Sequence, residues 1–253
     1  MASEGKIAIV TGGSRGIGRS TVLHLAERGV RTIFTYNANR AEADKVVALA
    51  GEAGAKAIAL QLDVADASSF EAFAAKVRET LGELGAERFD YLVNNAGTSS
   101  SSSLATITPA EMDALYAVHF KGVMFLTQAL LPLINDGGRI VNISSGLARF
   151  AMPNRVGYGP IKAAVEALTR YMAVELGPRR ITANCVAPGA VATDFSGGMV
   201  RDNPGVNQVV ANNTALGRAG LPDDIGPVIA GLLSDDFGWV NAQRIEVSGG
   251  MHL

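Results

Sequence analysis

Cysteine is almost absent from this chain. Cys185 is the only one in 253 residues, so no disulfide can form within it and nothing in the sequence asks for an oxidising compartment. Charge is scarce and balanced as well: charged residues make up 18%, the net charge is −2, and no basic run occurs. That excludes the electrostatic footprint of a nucleic-acid or anionic-membrane binder. No apolar segment approaches the length of a membrane span. The opening Met1-Ala2-Ser3-Glu4-Gly5-Lys6 lacks the apolar core of a signal peptide and runs straight into a strand. The expectation is a cytoplasmic protein with no membrane and no nucleic acid among its partners.

Apolar side chains are plentiful, at 48% of the total, enough to fill one large core rather than two small ones. Short apolar runs alternate with longer amphipathic ones, the βαβ pattern of a parallel sheet. Strands are predicted at Lys6 to Val10, Thr32 to Thr35, Ala57 to Leu62, Phe89 to Val93, Arg139 to Ile143, Thr182 to Val186 and Arg244 to Val247. Helices are predicted at Gly16 to Gly29, Arg40 to Ala53, Ser68 to Leu81, Pro109 to Ile134 and Tyr158 to Leu176. No repeat or linker breaks the series. The fold class expected is therefore α/β, a single-domain doubly wound parallel sheet over 1–253, Rossmann-like, with helices on both faces. Five consecutive serines, Ser99 to Ser103, follow a strand's carboxyl end. They read as a solvated loop or as a border of a ligand cleft.

Thr11-Gly12-Gly13-Ser14-Arg15-Gly16-Ile17-Gly18 follows the first strand and opens the first helix. Glycines there permit a tight turn and let backbone N–H groups approach a pyrophosphate at the helix's positive end. The spacing differs from the commoner G-x-G-x-x-G. Further on, Tyr158 and Lys162 stand four residues apart and so share one helix face, with Ser145 thirteen residues before the tyrosine. A free phenol has a pKa of roughly 10. The expectation is that the neighbouring ammonium favours the phenolate and pulls that value toward neutrality. The serine hydroxyl can hold a substrate oxygen beside the phenol.

With these motifs the chain resembles the short-chain dehydrogenase/reductase family over nearly its whole length. The cofactor loop matches at Gly12, Gly16 and Gly18, with Ser14, Arg15 and Ile17 among them. Asn94-Asn95-Ala96-Gly97 matches the family's Asn-Asn-Ala-Gly, Ser145 its active-site serine, and Tyr158 with Lys162 its Tyr/Lys pair. Pro188-Gly189 and Thr193 match its Pro-Gly segment. The resemblance implies a Ser145–Tyr158–Lys162 catalytic site that exchanges a hydride between a nicotinamide and a carbonyl or alcohol. It places Asp63 and Val64 at the adenine, or Asp63 as a turn cap, and Tyr36 and Asn37 near the adenosine. Asn94 comes to the adenosine ribose region, or staples neighbouring backbone. Val191 and Thr193 hold the carboxamide of nicotinamide, Gly189 allows the close approach this needs, and Ala96, Gly97 and Pro188 join the cofactor contacts. Lys162 holds the nicotinamide ribose. No metal is expected.

Charge selects the cofactor. An acidic side chain after the second strand would favour NAD, but Thr35-Tyr36-Asn37-Ala38-Asn39-Arg40 carries no carboxylate. Arg15 resembles the basic residue that clamps a 2′-phosphate, so the expected cofactor is NADP(H). One position departs from the family. Where many relatives have Asn-x-x-Gly, with the asparagine supporting a relay water, this chain reads His119-Phe120-Lys121-Gly122. His119 is read either as a substitute that holds the water or as packing against Phe120 and Phe125. His24 and His252 read as structural, Cys185 as a buried hydrophobe and Tyr171 as packing. The function expected is an NADPH-dependent, reversible carbonyl reductase acting on a small-molecule carbonyl or alcohol, assembled as a homotetramer. The rivals are a 3-oxoacyl-[acyl carrier protein] reductase or sugar-alcohol dehydrogenase and, from another class, a non-catalytic NADP-binding sensor. The Gly146 to Gly157 loop, with Leu147, Phe150, Met152 and Val156, predicts an apolar pocket, and Asp194 to Gly217 a mobile cover for it.

Overall fold

Strand β1 (Ile7–Val10) is four apolar residues buried on both faces, the pattern a central parallel strand requires. Ile7 and Ile9 point to one side and Ala8 and Val10 to the other, so β1 seeds two separate cores. The computed structural model describes residues 5–253; Met1 to Glu4, part of the amino-terminal segment read above, lie outside the described residues. After β1 come α1 (Gly16–Ala26), β2 (Arg31–Tyr36), α2 (Arg40–Glu52), β3 (Ala57–Gln61), α3 (Phe70–Glu83) and β4 (Phe89–Asn94). Then follow α4 (Pro109–Tyr116), α5 (Gly122–Leu130), β5 (Ile134–Ile143), α6 (Tyr158–Leu176) and β6 (Thr182–Pro188). The chain ends through α7 (Met199–Asp202), α8 (Pro204–Asn212), α9 (Pro222–Leu232) and β7 (Arg244–Val247).

The seven strands form one all-parallel sheet in the order β3-β2-β1-β4-β5-β6-β7. The chain winds outward from β1 to β3 and then returns to place β4 on β1's other side. That reversal opens a crevice at the carboxyl ends of β1 and β4, where such sheets bind ligands. Helices α3, α5 and α6 cover one face through Phe73, Val77, Leu126, Leu130 and Met172. Helices α1, α2 and α9 cover the other through Val22, Val46 and Ile229.

Several elements differ from expectation. The single helix read over Pro109 to Ile134 is two helices joined by a π-helical turn at Ala117–Lys121. It stops at Leu130 because Pro132 follows. β5 starts earlier than Arg139, at Ile134, after a pairing irregularity between Phe89 and Tyr91. The run Pro109–Leu133 is in fact long and apolar enough to cross a membrane by length and composition, which corrects the sequence reading. Here its Leu126 and Leu130 face pack into the core instead. The segment read as a mobile cover carries α7 and α8, the latter capped by Asn203 accepting from the Val206 N–H at 3.1 Å, with Pro204 in its first turn. Tyr171, read as packing, is 69% exposed beside Val174 on α6. Cys185 is buried in β6, as its apolar neighbours indicated.

Candidate active site

A cleft of about 890 Å³ runs along the carboxyl ends of the strands, from Tyr36 and Asp63 at one end to Phe195 and Met251 at the other. Its phosphate-sized end is the turn between β1 and α1. Gly12 and Gly16 have φ of +66° and +55°, a conformation only glycine holds without strain. The first turn of α1 has no side-chain cap and no acidic residue, so its N–H groups and positive dipole end are unspent. Ser14, Arg15, Ile17 and Gly18 line the cleft there. This end fits a dinucleotide pyrophosphate.

The loop is tied to β4 by an asparagine other than the one expected. Asn94 is buried, and its Nδ2 donates to Thr127 Oγ1 at 3.1 Å and Asn142 Oδ1 at 2.8 Å. It staples β4 to α5 and β5 and does not reach the cleft, which corrects its placement at a ribose. Successive strand residues face opposite ways, and it is Asn95 that lines the cleft, its Nδ2 donating to the Thr11 and Gly12 carbonyls at 2.8 and 3.2 Å. The Thr11 hydroxyl accepts from the Asn95 and Ala96 N–H groups at 2.9 and 3.0 Å.

The other residues read as cofactor contacts all reach this cleft. Tyr36 and Val64 form a wall, with Asn37 exposed at the rim. Asp63 lines it too, while its Oδ1 accepts from the Ala65 N–H at 2.9 Å, the turn-cap role weighed for it. Glu42, which the sequence reading passed over, also joins this wall, its carboxylate paired with Lys45 at 2.7 Å. Ala96 and Gly97 line the middle, and Pro188, Gly189, Val191 and Thr193 the far side. The close approach that needs a glycine at 189 is to Ser248, whose Cα would lie 3.0 Å from an added Cβ.

Three side chains converge deeper in. Tyr158 opens α6, Lys162 lies one turn on, and Ser145 follows β5. The Lys162 ammonium donates to the Ile143 carbonyl at 2.8 Å and sits 5.6 Å from the centre of the Tyr158 ring. Burial pulls Lys162 down to about 8. Burial also pushes the Tyr158 phenol above its ordinary value, with the Ser145 hydroxyl and the Arg155 cation pulling the other way. The expected lowering of the phenol by its lysine is thereby corrected: desolvation wins.

His119, in the π turn, is buried against the same phenol. Its Nε2 lies 2.8 Å from the Thr98 carbonyl and 3.3 Å from the Thr98 N. The shorter contact favours an Nε2–H donating to the carbonyl, which makes Nδ1 the acceptor, and Nδ1 has no protein partner among the described residues. Burial, then the Lys162 charge, pulls it down to about 3. Gly97 must be glycine, because an added Cβ would lie 2.9 Å from His119 Cε1. Phe120 stacks on Tyr116 instead, 5.7 Å between ring centres, and Phe125 is partly exposed. The ring recorded against His119 is that of Tyr158.

The remaining cleft carries the apolar residues Leu147, Phe150 and Met152 as expected, though not Val156, with Phe195, Met199 and Met251 across from the nucleotide end and Arg155, Asp194 and Ser196 as polar members of its lining. Among the described residues no group of three or more His, Cys, Asp or Glu is placed to hold a metal.

Comparison with known proteins gives the family. The family described as enoyl-(acyl carrier protein) reductase matches residues 12–252. An uncharacterized oxidoreductase of Methylorubrum extorquens is 37% identical over 248 residues, covering 98% of both chains. The promiscuous reductase LugOII, which catalyses keto-reduction at C1 during lugdunomycin biosynthesis, superposes over the whole of both chains with a TM-score of 0.95 and 36% identity. The angucycline C-6 ketoreductase LanV with bound NADP superposes with a TM-score of 0.94 and 34% identity, over 99% of this chain and 97% of that one. At such identity along nearly its full length, the chain belongs to the short-chain dehydrogenase/reductase family of oxidoreductases.

Proposed function

We propose that the protein is a reversible, NADPH-dependent carbonyl reductase that converts a ketone to a secondary alcohol through Ser145, Tyr158 and Lys162. The observation that carries this reading is the convergence of those three side chains in the cleft that the uncapped start of α1 also lines. Relatives of similar length named as ketoreductases support the reaction class, and the NADP bound to LanV supports the cofactor.

The glycine loop would hold the pyrophosphate, Arg15 the 2′-phosphate, and Val191 with Thr193 the carboxamide. When bound, the cofactor supplies the hydride, chemistry that belongs to it and not to the protein. The protein supplies position and a proton. Tyr158, held above the ordinary phenol value, keeps its proton at neutral pH and is the acid that the carbonyl oxygen needs. Ser145 donates a second hydrogen bond to that oxygen. As the proton leaves, the buried Lys162 ammonium, 5.6 Å from the ring centre, stabilises the phenolate left behind. His119 completes the proposal by holding a water on its free Nδ1 beside the phenol.

Replacing Tyr158→Phe keeps the ring and removes the proton. NADPH oxidation across a ketone panel should fall by about 10²–10⁴ while NADPH binding, read by cofactor fluorescence, persists. Turnover near wild type would sink the mechanism. The homotetramer also enters as a proposal: Tyr171 and Val174 form an exposed apolar pair on α6, and sedimentation velocity reads the number of copies.

A further inference from the structure

Arg155 lies three residues before Tyr158 and follows Asn154, whose φ of 61° turns the chain sharply at this point. Its guanidinium lines the same cleft as Tyr158 and Ser145. Five N–H donors sit on that group, yet its one hydrogen-bond partner among the described residues is neutral, the Ser100 carbonyl. Neighbouring arginines are otherwise placed: Arg149 pairs with Glu246, and Arg201 with Asp194 and Asp202. Asp194 is a carboxylate that lines the same cleft, and Arg201 already holds it.

The serine run has a task here. Ser100 and Ser102 both donate to the Glu111 carboxylate on α4, with Ser102 Oγ at 2.7 and 2.8 Å from its two oxygens. Glu111 thus fixes the loop, the loop presents the Ser100 carbonyl, and that carbonyl anchors one edge of Arg155. An anchored cation with spare donors then faces a cleft whose lining includes Leu147, Phe150, Met152 and Phe195.

We infer that Arg155 is a specificity-determining residue that binds an anionic oxygen, a carboxylate or an ionised phenol or enol, carried on an otherwise apolar ketone. A planar fork with unused donors recognises such a group by charge-assisted hydrogen bonds. Apolar neighbours such as Leu147 and Phe150 lower the local polarity around that fork and strengthen the attraction. Lys162 is otherwise placed: its ammonium donates to the Ile143 carbonyl, and on the proposed mechanism its charge serves the Tyr158 phenolate. The inference rests on the reductase reading for the ketone and on the structure alone for the anion.

The probes are 4-oxo-4-phenylbutanoate against its methyl ester, and 6-hydroxy-1-tetralone against its methyl ether. The ratio of kcat/KM for each acidic ketone over its neutral partner should fall by about tenfold to a hundredfold in Arg155→Gln, the worth of one charge-assisted hydrogen bond. The change should appear in KM, and Arg155→Lys should recover much of it. Which pair responds separates a carboxylate site from a phenolate site. A ratio unmoved in both pairs overturns the inference. So does a loss shared equally by acid and neutral ketone with a shifted pH profile, which would mean that Arg155 acts through Tyr158. If wild type reduces none of the four ketones, the reductase reading falls. Calorimetric titration with 4-phenylbutanoate then decides Arg155, with binding by wild type but not Arg155→Gln expected, and equal or absent binding overturning it.

Discussion

The His119 ring stands edge-on to the Tyr158 ring, with centres 5.3 Å apart and planes at 88°. A histidine in contact with the proposed acid matters through its charge. Buried, and close to the Lys162 ammonium, it is held down to about 3, whereas an unfolded imidazole titrates near ~6.5. It therefore adds no second cation beside Lys162 at any pH where the phenol is to act.

This depressed value predicts a pH dependence of stability. Between pH ~6.5 and pH ~3 the unfolded chain takes up a proton at His119 that the folded chain refuses. Stability is full above the unfolded value and falls as pH drops, by at most about 1.4 kcal/mol per unit from this group. His119→Asn should flatten that limb in denaturant titrations from pH 7 to pH 4. The same variant should retain turnover, and His119→Leu should lose much of it while melting normally. An unchanged acid limb in His119→Asn would show that the ring is not held neutral. A wild-type rate and pH profile in His119→Leu would rule out the water-holding role.

On the proposed reading, cofactor selection falls to residues at the cleft's rim. Arg15 and Asn37 are exposed there, and the Glu42 carboxylate in the wall is held by Lys45. Arg15→Ala should raise KM for NADPH by roughly tenfold, one charge-assisted contact's worth, and change NADH little. Asn37→Asp should favour NADH by adding an acceptor for the ribose and repelling a 2′-phosphate. Steady-state kinetics with both cofactors check it, and equal or better efficiency of the wild type with NADH would refute the assignment.

How much of this was legible depends on how local each signal is. The glycine loop, Tyr158–Lys162 and the bounds of α6 at Tyr158–Leu176 could be read directly, because turn glycines and a four-residue helical spacing are encoded within a few positions. Asn94 and Asn95 could not be told apart by motif. Strand alternation was the available signal, since it places one against Asn142 and the other on the glycine loop. The phenol's direction of shift was misread because spacing reports the neighbouring cation but not burial, which here dominates. Glu42 and Arg155 were invisible for a further reason: the wall of a cleft is assembled from segments far apart in sequence, here α2 at Glu42 and the loop before α6 at Arg155. Helices α7 and α8 were missed where Gly197 and Gly198 precede a short turn and the Asn203 cap of α8, and α9 was missed where it starts at Pro222 behind Leu221, an apolar N-cap.

Beneath the proposed site, Arg244 on β7 connects three groups. Its Nε donates to Glu166 at 2.7 Å, one guanidinium nitrogen to Glu246 at 3.0 Å, and the other to the Ser145 carbonyl at 3.4 Å. Glu166 lies two turns beyond Tyr158 on α6, on the face that also carries Lys162. It accepts from the Ser144 hydroxyl at 2.7 Å as well. One arginine thereby fixes the Ser145 backbone relative to the helix that bears the tyrosine. Arg244→Gln should leave Glu166 half-buried without its partner and let Ser145 drift. Because misplacement of a reacting group by about 1 Å can cost ~10²-fold, kcat for a ketone should fall by about ten- to a hundredfold. KM for NADPH should stay within about twofold, since none of these groups lines the loop at α1. Glu166→Gln should reproduce part of the loss, and the double variant should lose less than the product of the two, because both act through one ion pair. Multiplicative losses in the double variant would mean the two residues act separately, and an unchanged kcat in Arg244→Gln would mean that Ser145 is held in place without it.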